Sequence, residues 1–303
     1  MDNFFAGKKI FVTGGAGFVG ANLARRLLEV GADVYVLARK STDLWRLGDV
    51  FGEIEIYFSD LSDFDDIKDL VREIKPQGVF HLGASMMIHG VVLEPEKVMN
   101  INYDGTKNLL ESISPNCFFI NTGSYSDGVG ADDFALSKRK STEYCTEFGK
   151  NHKRPVVTLR LFTPYGPFIQ KERFVYEALT NAAVGGEIKI SSPDITRDFI
   201  FVDDLVDLYF AAAEKARRCC GEIFNAGSGV STTLKEAVDI ALEISGGCSE
   251  VVWKNSPRLS YDFPNVRADI SKNEKLLNWK PKTSLRQGLQ KTYDWLKNNL
   301  DRY

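Results

Sequence analysis

Residues 8–31 read KKIFVTGGAGFVGANLARRLLEVG, an apolar strand that passes through a glycine-rich turn into an amphipathic helix. Glycines permit a tight turn and let a pyrophosphate approach the backbone, while free N–H groups at the start of the helix bind its charge. Because the glycines stand between a strand and a helix, they predict a dinucleotide-binding fold. The residues expected to contact the cofactor are Gly14, Gly17, Phe18, Val19 and Gly20.

The first half of the chain alternates short apolar runs with helical stretches. Such alternation is typical of a parallel sheet that helices cover on both faces. We therefore predict an α/β fold with a doubly wound parallel sheet of the Rossmann type. Further strands are predicted at DVYVLA, EIEIYF, GVFHLGA, CFFINTG and PVVTLRLF, with helices near 63–75 and 95–113 and another around FALSK.

Beyond PYGP at 164–167 the pattern changes to helices near 172–184, 203–217, 233–244 and 284–299, with only short strands such as EIKI and EIFNA between them. This pattern predicts a smaller C-terminal α/β domain that packs against the first. We expect the dinucleotide-binding domain to comprise 1–165 with 196–225, and the smaller domain to comprise 166–195 with 226–303.

Composition narrows the classes of partner. The 303 residues are 44% hydrophobic and carry a formal charge of −3, so no strong field would attract nucleic acid or an anionic membrane. We expect small-molecule partners. The N-terminus enters a strand without an apolar run typical of a signal peptide, which predicts a cytoplasmic protein. The chain has five cysteines, at positions 117, 145, 219, 220 and 248. Their spacing is typical of neither a disulfide framework nor a metal site, so no metal site is expected.

The end of the second strand indicates which cofactor binds. An NAD-binding protein carries a carboxylate there for the ribose hydroxyls, but this chain has Leu37-Ala38-Arg39-Lys40-Ser41. An arginine suits the additional 2′-phosphate of NADP through charge-assisted hydrogen bonds. The alternative is a solvated Arg-Lys pair on a loop. We expect NADP(H), bound in part by Arg39, Lys40 and Ser41.

Over nearly its whole length the chain resembles the extended short-chain dehydrogenase/reductases, the NAD(P)-dependent nucleotide-sugar epimerase, dehydratase and reductase family. The resemblance implies that the smaller domain binds a nucleoside-diphosphate sugar, through Thr163, Arg197 and Arg258. It also implies that Asp60, Leu61, Leu82, Gly83 and Ala84 line the cofactor. The resembling segments are TGGAGFVG at 13–20, SDL at 59–61, HLGAS at 81–85, NINYDGTKNLLE at 100–111, LRLFTPYGP at 159–167, TRDFIFVDDLVDLY at 196–209, FNAGSG at 224–229 and NWKPKTSLRQGL at 278–289.

In that family a strand-end Ser or Thr acts with the Tyr and Lys of a Tyr-x-x-x-Lys pair on a sugar oxygen beside the nicotinamide. The lysine binds the nicotinamide ribose and lowers the pKa of the phenol, which exchanges a proton with the sugar. Here FALSK places Lys138 on the lysine and Phe134 on the tyrosine. Gly123 takes the hydroxyl position, so Thr122 or Ser124 must supply that group, and Thr122 is preferred.

The phenylalanine has two explanations. Either the natural enzyme lacks a phenolic acid, or the chain is a Tyr→Phe variant that binds substrate without turnover. We favour the variant, because Phe fills nearly the same volume while proton transfer fails. Tyr125 is a substitute acid only if it does not serve as a packing aromatic. Met86 and Met87 are expected to shape the pocket, His89 faces either the sugar or the solvent, and His81 is expected to be a packed core histidine.

The short segment between the strand end and Phe134 resembles reductases that make CDP-abequose and CDP-paratose. Dehydratases of the family carry an acid directly after the strand-end Thr, whereas this chain has Gly123 and Ser124. The resemblance thus implies an NADP(H)-dependent reductase of a 4-keto-deoxy nucleotide sugar. The alternatives are a nucleotide-sugar 4-epimerase, a 4,6-dehydratase and a non-catalytic NADP-binding homologue. A homodimer is expected, because helices equivalent to 95–113 and to the Lys138 helix often form a four-helix bundle in this family.

Overall fold

The computed structural model describes residues 4–85, 94–190, 192–247, 249–253 and 265–303. The strands are β1 (Lys9–Thr13), β2 (Asp33–Ala38), β3 (Glu55–Phe58), β4 (Gly78–His81), β5 (Phe118–Ser124), β6 (Val156–Leu161), β7 (Thr163–Tyr165), β8 (Ile188–Ile190), β9 (Thr196–Arg197), β10 (Phe199–Phe201), β11 (Glu222–Ala226), β12 (Thr232–Thr233) and β13 (Val251–Trp253). The α-helices are α1 (Phe18–Glu29), α2 (Phe64–Ile74), α3 (Pro95–Met99), α4 (Gly105–Ser112), α5 (Asp133–His152), α6 (Phe174–Val184), α7 (Val202–Lys215), α8 (Leu234–Ser245) and α9 (Leu285–Lys297).

Seven parallel strands form the main sheet in the order β3-β2-β1-β4-β5-β6-β11. The strand order reverses between β1 and β4, and ligands of such sheets bind outside the carboxyl ends of the strands at that switch point. The prediction of a doubly wound α/β fold is confirmed. Among the described residues, no helix is both long enough and apolar enough to cross a membrane.

Helices cover both faces of this sheet, as the apolar runs of its strands predict. Alternate residues of β1 point to opposite faces, so Ile10 packs in one buried cluster and Phe11 in another. The first cluster includes Leu23 of α1 and Leu208 of α7, and the second includes Ile67 of α2. The carboxyl edge of the sheet is thereby held as a rigid platform.

The predicted helix at 95–113 is not uniform. It consists of α3, a π-helical segment over Asn100–Asp104, and α4. π-helical turns are rare overall, but those that occur are often found at functional sites. Such a turn changes which side chains of the helix face the same direction. Here it places Asn102 in the interior of the protein.

The C-terminal part consists mainly of short paired strands and helices. Strand β7 pairs with β10, β9 with β12 and β8 with β13, while α8 packs against α6 and α9. The starts of α8 and α9 follow from their sequences, because Thr233 with Glu236 and Ser284 with Gln287 form capping boxes. Strand β11, which the sequence places among these helices but largely within the expected dinucleotide-binding segment 196–225, joins the main sheet. The division into two domains at the stated boundaries stays a prediction.

Candidate active site

The glycine-rich turn stands at the switch point. Gly14 has a φ of +68°, and a Cβ atom there would lie 2.8 Å from the backbone nitrogen of Gly83, beyond the end of β4. A Cβ atom on Gly20 would lie 2.7 Å from the Cα of Gly15 and still closer to the carbonyl of Gly14. The Gly17 N–H donates to the Gly14 carbonyl over 3.0 Å. The turn is therefore a tight cradle that suits a pyrophosphate approaching the start of α1.

Predicted cofactor residues lie at the carboxyl ends of β2 and β3. Arg39, Lys40 and Ser41 follow β2 and are exposed. Within the described parts of the chain, no carboxylate forms an ion pair with Arg39 or Lys40, so both cations are open to a ligand. Asp60 follows β3 and accepts hydrogen bonds from the backbone N–H (2.9 Å) and hydroxyl (2.6 Å) of Ser62.

Residues after β4 complete this edge. The backbone N–H of Leu82 donates to the carbonyl of Thr13 over 3.1 Å, which ties the end of β4 to the end of β1. A Cβ atom on Gly83 would lie 2.9 Å from Cδ1 of Leu61. Leu61, Leu82, Gly83 and Ala84 therefore stand beside the glycine turn, where the sequence predicts cofactor contacts.

A buried chain of hydrogen bonds holds the ends of β1 and β4 together. The hydroxyl of Thr106 donates to the carbonyl of Asn102 (2.5 Å), so its oxygen accepts from Nε2 of His81 (2.9 Å). Nδ1 of His81 is then unprotonated and accepts from the Thr13 hydroxyl (2.8 Å), whose oxygen accepts from the Gly83 N–H (3.0 Å). Burial lowers the pKa of His81 to about 3, so the ring stays neutral. The expected core histidine thus positions the cofactor loop.

Asn102 extends this network to α5. Its side-chain amide pairs with the backbone of Ser85, accepting from the N–H (2.7 Å) and donating to the carbonyl (2.9 Å). The same amide donates to the Ser137 hydroxyl over 2.9 Å, and the Ser141 hydroxyl donates to the Asn102 carbonyl over 2.8 Å. The π-helical segment therefore fixes α5 on both sides of Lys138.

Lys138 and Phe134 share one face of α5, four residues apart. Asp132 caps the helix by accepting from the Ala135 N–H over 2.7 Å, which fixes its first turn around Phe134. The Lys138 side chain is buried, with 3% of the residue exposed, and it forms no ion pair within the described residues. Burial lowers its pKa to about 8, against the opposing effects of Cys145 and Asp127. An unpaired buried ammonium is a suitable partner for ribose hydroxyls.

The strand-end residues point in different directions. The Thr122 hydroxyl lies 2.7 Å from the Oη of Tyr209 on α7. A Cβ atom on Gly123 would instead point to the opposite face, 3.1 Å from the Thr142 hydroxyl on α5. Ser124 ends β5 and is half-buried, with its hydroxyl 2.9 Å from that of Ser126. The hydroxyl of Thr122 is thus on the α7 face, away from Lys138.

Substrate-side residues lie on short strands next to the main sheet. The Thr163 N–H donates to the Asp198 carbonyl over 3.0 Å, and Arg197 is half-buried on β9. The Asp198 carboxylate accepts from the Ser228 hydroxyl (2.7 Å) and from the Gly229 and Ala268 N–H groups (both 2.9 Å). Arg258, Met86, Met87 and His89 lie outside the described residues.

Other predicted residues have structural partners. Tyr125 stacks on Phe162, with ring centroids 5.6 Å apart, as the packing explanation predicts. Cys117, Cys145 and Cys219 are buried free thiols. Within the ranges that the structure describes, no group of three or more His, Cys, Asp or Glu side chains could hold a metal ion.

Three functional candidates escaped the sequence analysis: Asn102, Asp127 and Asp198. Asn102 lies in the resembling segment NINYDGTKNLLE, but its buried position depends on the π-helical turn, which the sequence analysis did not predict. Asp198 directly follows Arg197 in TRDF, but a charged neighbour in the sequence does not indicate that the Asp198 side chain is buried. Asp127 has one signal, because a glycine at 123 leaves space for another side chain.

Comparisons with known proteins agree with the observed fold. A family model described as the NAD dependent epimerase/dehydratase family matches residues 10–227. CDP-paratose 2-epimerase from Salmonella typhi is 25% identical over 334 residues, covering 95% of this chain and 98% of that protein. An epimerase structure from Methanothermobacter thermautotrophicus gives a TM-score of 0.88 at 27% identity, covering 99% of this chain and 95% of that one. The structure of UDP-glucose 4-epimerase from Thermotoga maritima with UDP-glucose gives a TM-score of 0.85 at 26% identity. The match covers 96% of this chain and 99% of that one.

Proposed function

Because the chain belongs to the NAD-dependent epimerase/dehydratase family, we propose that it is an NADP(H)-dependent oxidoreductase acting at C4 of a nucleoside-diphosphate sugar. The specific reaction is reduction of a 4-keto-deoxy sugar. The family membership confirms the resemblance seen in the sequence. The observation that carries the specific proposal is the exposed, unpaired Arg39 and Lys40 at the ribose end of the glycine cradle, because a reductase must exchange its cofactor with a reduced NADP pool.

Each part of the cofactor has a fitting group on this chain. The glycine turn and the start of α1 would hold the pyrophosphate, and Arg39 would bind the 2′-phosphate. Lys138 would hold the nicotinamide ribose, since its buried ammonium forms no ion pair within the part of the chain that the structure describes. When bound, the nicotinamide supplies the hydride. The side chains around it orient the sugar oxygen and determine whether a proton reaches it.

The hydroxyl that orients the sugar oxygen is assigned to Ser124 rather than to Thr122, which the sequence favours. The Thr122 hydroxyl already bonds Tyr209 on the α7 face, whereas Ser124 stands at the carboxyl end of β5. By alternation Ser124 shares the face of Thr122, but it is the last residue of β5, and its hydroxyl lies 2.9 Å from that of Ser126 in the following turn. Phe134 offers no proton, so a chain with phenylalanine at this position would lack a general acid from α5.

The substrate assignment is supported by relatives and by geometry. Two relatives are named for CDP-paratose and UDP-glucose, both nucleoside-diphosphate sugars. Arg197 lies on β9 close to the Asp198 network, which anchors the loop at Ser228 and Gly229. We assign the pyrophosphate of the sugar nucleotide to Arg197 and Arg258, since a guanidinium suits phosphate oxygens.

A nucleotide-sugar 4-epimerase is the second candidate, because the three relatives described above are named as epimerases. An epimerase re-reduces its own intermediate on a cofactor that stays bound, whereas a reductase consumes NADPH. The 4,6-dehydratase is less well supported, since neither Gly123 nor Ser124 is an acid. A homodimer formed through the helical segment 95–113 and the Lys138 helix, the domain boundaries and the cytoplasmic location stay predictions.

NADP(H) is expected to bind more tightly than NAD(H). Arg39→Ala should remove a charge-assisted contact worth about 1.5–3 kcal/mol, which weakens NADP binding by roughly 10- to 100-fold and leaves NAD binding nearly unchanged. Calorimetric titration of both cofactors measures this, with Arg72→Ala, an exposed arginine of α2, as the matched control. Equal or tighter NAD binding by the unchanged chain would contradict the preference.

A sugar nucleotide is expected to raise the melting temperature of the NADP-bound protein, because a ligand that binds only the folded state stabilises it. A panel of UDP-, CDP-, GDP- and dTDP-sugars tests this by thermal unfolding. Arg197→Ala should reduce the largest shift, whereas Arg72→Ala should not. If every member of the panel leaves the melting temperature unchanged, the substrate class is wrong.

A further inference from the structure

Asp127 is a buried acid beside the candidate site, in the turn Tyr125–Gly128 that follows β5. Only 1% of the residue is exposed. Its Oδ1 lies 2.6 Å from Nε of Arg160 on β6, and its Oδ2 accepts from the Thr142 hydroxyl on α5 over 2.9 Å. A carboxylate removed from water in this way is stabilised only by partners held in place, so the position of Asp127 is fixed.

The carboxylate occupies the space of an absent side chain. Gly123 has ordinary backbone geometry, so the backbone itself does not require glycine there. A Cβ atom on Gly123 would nevertheless lie 3.0 Å from Cγ2 of Thr158 and 3.1 Å from both Oδ2 of Asp127 and the Thr142 hydroxyl, so the Asp127 carboxylate is one of three close neighbours. Such contacts are tighter than ordinary van der Waals distances, and the neighbouring groups would have to move. Glycine at 123 and aspartate at 127 therefore form a matched pair.

Asp127 also holds the backbone around the site. Its carbonyl accepts from Nε of Arg139 over 2.6 Å, and the other end of that guanidinium donates to the Gly130 carbonyl over 2.8 Å. The backbone of Ser124 interacts with the Asp127 carboxylate. Arg139, which follows Lys138, thus attaches the turn after β5 to α5. The Asp127 carboxylate attaches the strand end at Ser124 to the same turn.

Among the described residues, three titratable groups interact electrostatically with Lys138. His81 on β4 is neutral, because burial lowers its pKa to about 3. Cys145 on α5 is a neutral thiol, because burial raises its pKa to about 12. Burial also raises the pKa of Asp127, against the effects of Arg160 and Thr142, but the ion pair with Arg160 favours the carboxylate. Asp127 is bonded to Thr142, one turn along α5 from Lys138, and among the described groups that act on Lys138 it is therefore the anionic one.

We propose that Asp127 is a positioning residue of the site: its carboxylate replaces a side chain at 123, fixes the strand end at Ser124 and keeps Lys138 charged. Arg160 and Thr142 hold the carboxylate in that place. The inference deepens the proposed function, and it rests on that function where Lys138 is assigned to the cofactor ribose. It explains why the hydroxyl position of the family can be glycine in this chain.

The test measures NADP(H) affinity against pH, because loss of the Lys138 proton should weaken binding at high pH. Removing the carboxylate with Asp127→Asn lowers the pKa of Lys138, so the alkaline loss of affinity should move to lower pH by on the order of one unit. Glu143→Gln is the matched control, since it removes an exposed carboxylate from α5, the helix that carries Lys138, and should not move the pH profile. A folded Asp127→Asn protein with an unchanged profile overturns the proposal.

Two further measurements keep the test decisive. If Asp127→Asn does not fold, Gly123→Ala takes its place, because the added methyl group displaces the carboxylate and should shift the profile in the same direction. If no NADP(H) binds at any pH, the proposed function fails, and denaturant unfolding then decides the inference. Gly123→Ala should destabilise the protein less when Asp127→Ala has removed the carboxylate, and strictly additive effects of the two substitutions overturn the matched pair.

Discussion

Restoring the missing hydroxyl with Phe134→Tyr is expected to raise turnover about 10²- to 10⁴-fold, the usual contribution of a positioned general acid. The first turn of α5 is already fixed by the Asp132 cap, and Lys138 stands one turn further along the same face. Its buried ammonium lowers the pKa of a neighbouring phenol. The new tyrosine therefore needs no other change to become the proton donor.

The fold and the cofactor affinity should change little in this variant, because Tyr differs from Phe by one oxygen. Phe148→Tyr, another half-buried aromatic of α5, is the matched control and should leave turnover unchanged. If the chain with Phe134 is already fully active, the acid lies elsewhere. Tyr125 would then be the first suspect, although its ring stacks on Phe162.

Gly20→Ala is expected to disrupt the cofactor cradle. The added Cβ atom would lie 2.7 Å from the Cα of Gly15, with the carbonyl of Gly14 closer still, so the turn and the start of α1 must separate. Overpacking of this kind typically costs about 1–3 kcal/mol in the free energy of unfolding. Losing one hydrogen bond from a backbone N–H to the pyrophosphate should also reduce the free energy of cofactor binding by about 1.5–3 kcal/mol, a roughly 10- to 100-fold loss of affinity.

Gly52→Ala is the control for this prediction, because a Cβ atom on Gly52 meets nothing within 4 Å. Denaturant unfolding and calorimetric titration with NADP(H) report the two effects separately. A Gly20→Ala protein that keeps both its stability and its cofactor affinity would show that the turn does not hold the pyrophosphate.

The sequence predicted the fold and the cradle well because their signals are local. The glycine turn is read within one strand–turn–helix unit, and apolar periodicity places α2 over Phe64–Ile74 against a prediction of 63–75. The parallel sheet follows from the alternation of strands and helices. By contrast, membership of β11 in the main sheet depends on its pairing with β6, and five residues of EIFNA carry no sign of that partner.

The chemistry around β5 was less predictable, because it depends on which face each side chain occupies. Thr122 and Gly123 are adjacent in sequence but point to opposite faces of the sheet. The partner of Thr122 is Tyr209, far along the chain, and that contact removes the preferred hydroxyl from the α5 face. The burial of Asp127 likewise requires Arg160 and Thr142 from two other elements, which no local pattern reveals.

Oxidation of NADPH by the Phe134→Tyr protein, incubated with a panel of 4-keto nucleotide sugars, tests the central claim most directly. Absorbance of the reduced nicotinamide reports the reaction, and parallel reactions with NADH test the role assigned to Arg39. The account predicts stoichiometric consumption of NADPH with at least one sugar, faster than consumption of NADH. Interconversion of sugar epimers without net NADPH consumption, or binding of NADP without turnover of any substrate, would contradict it.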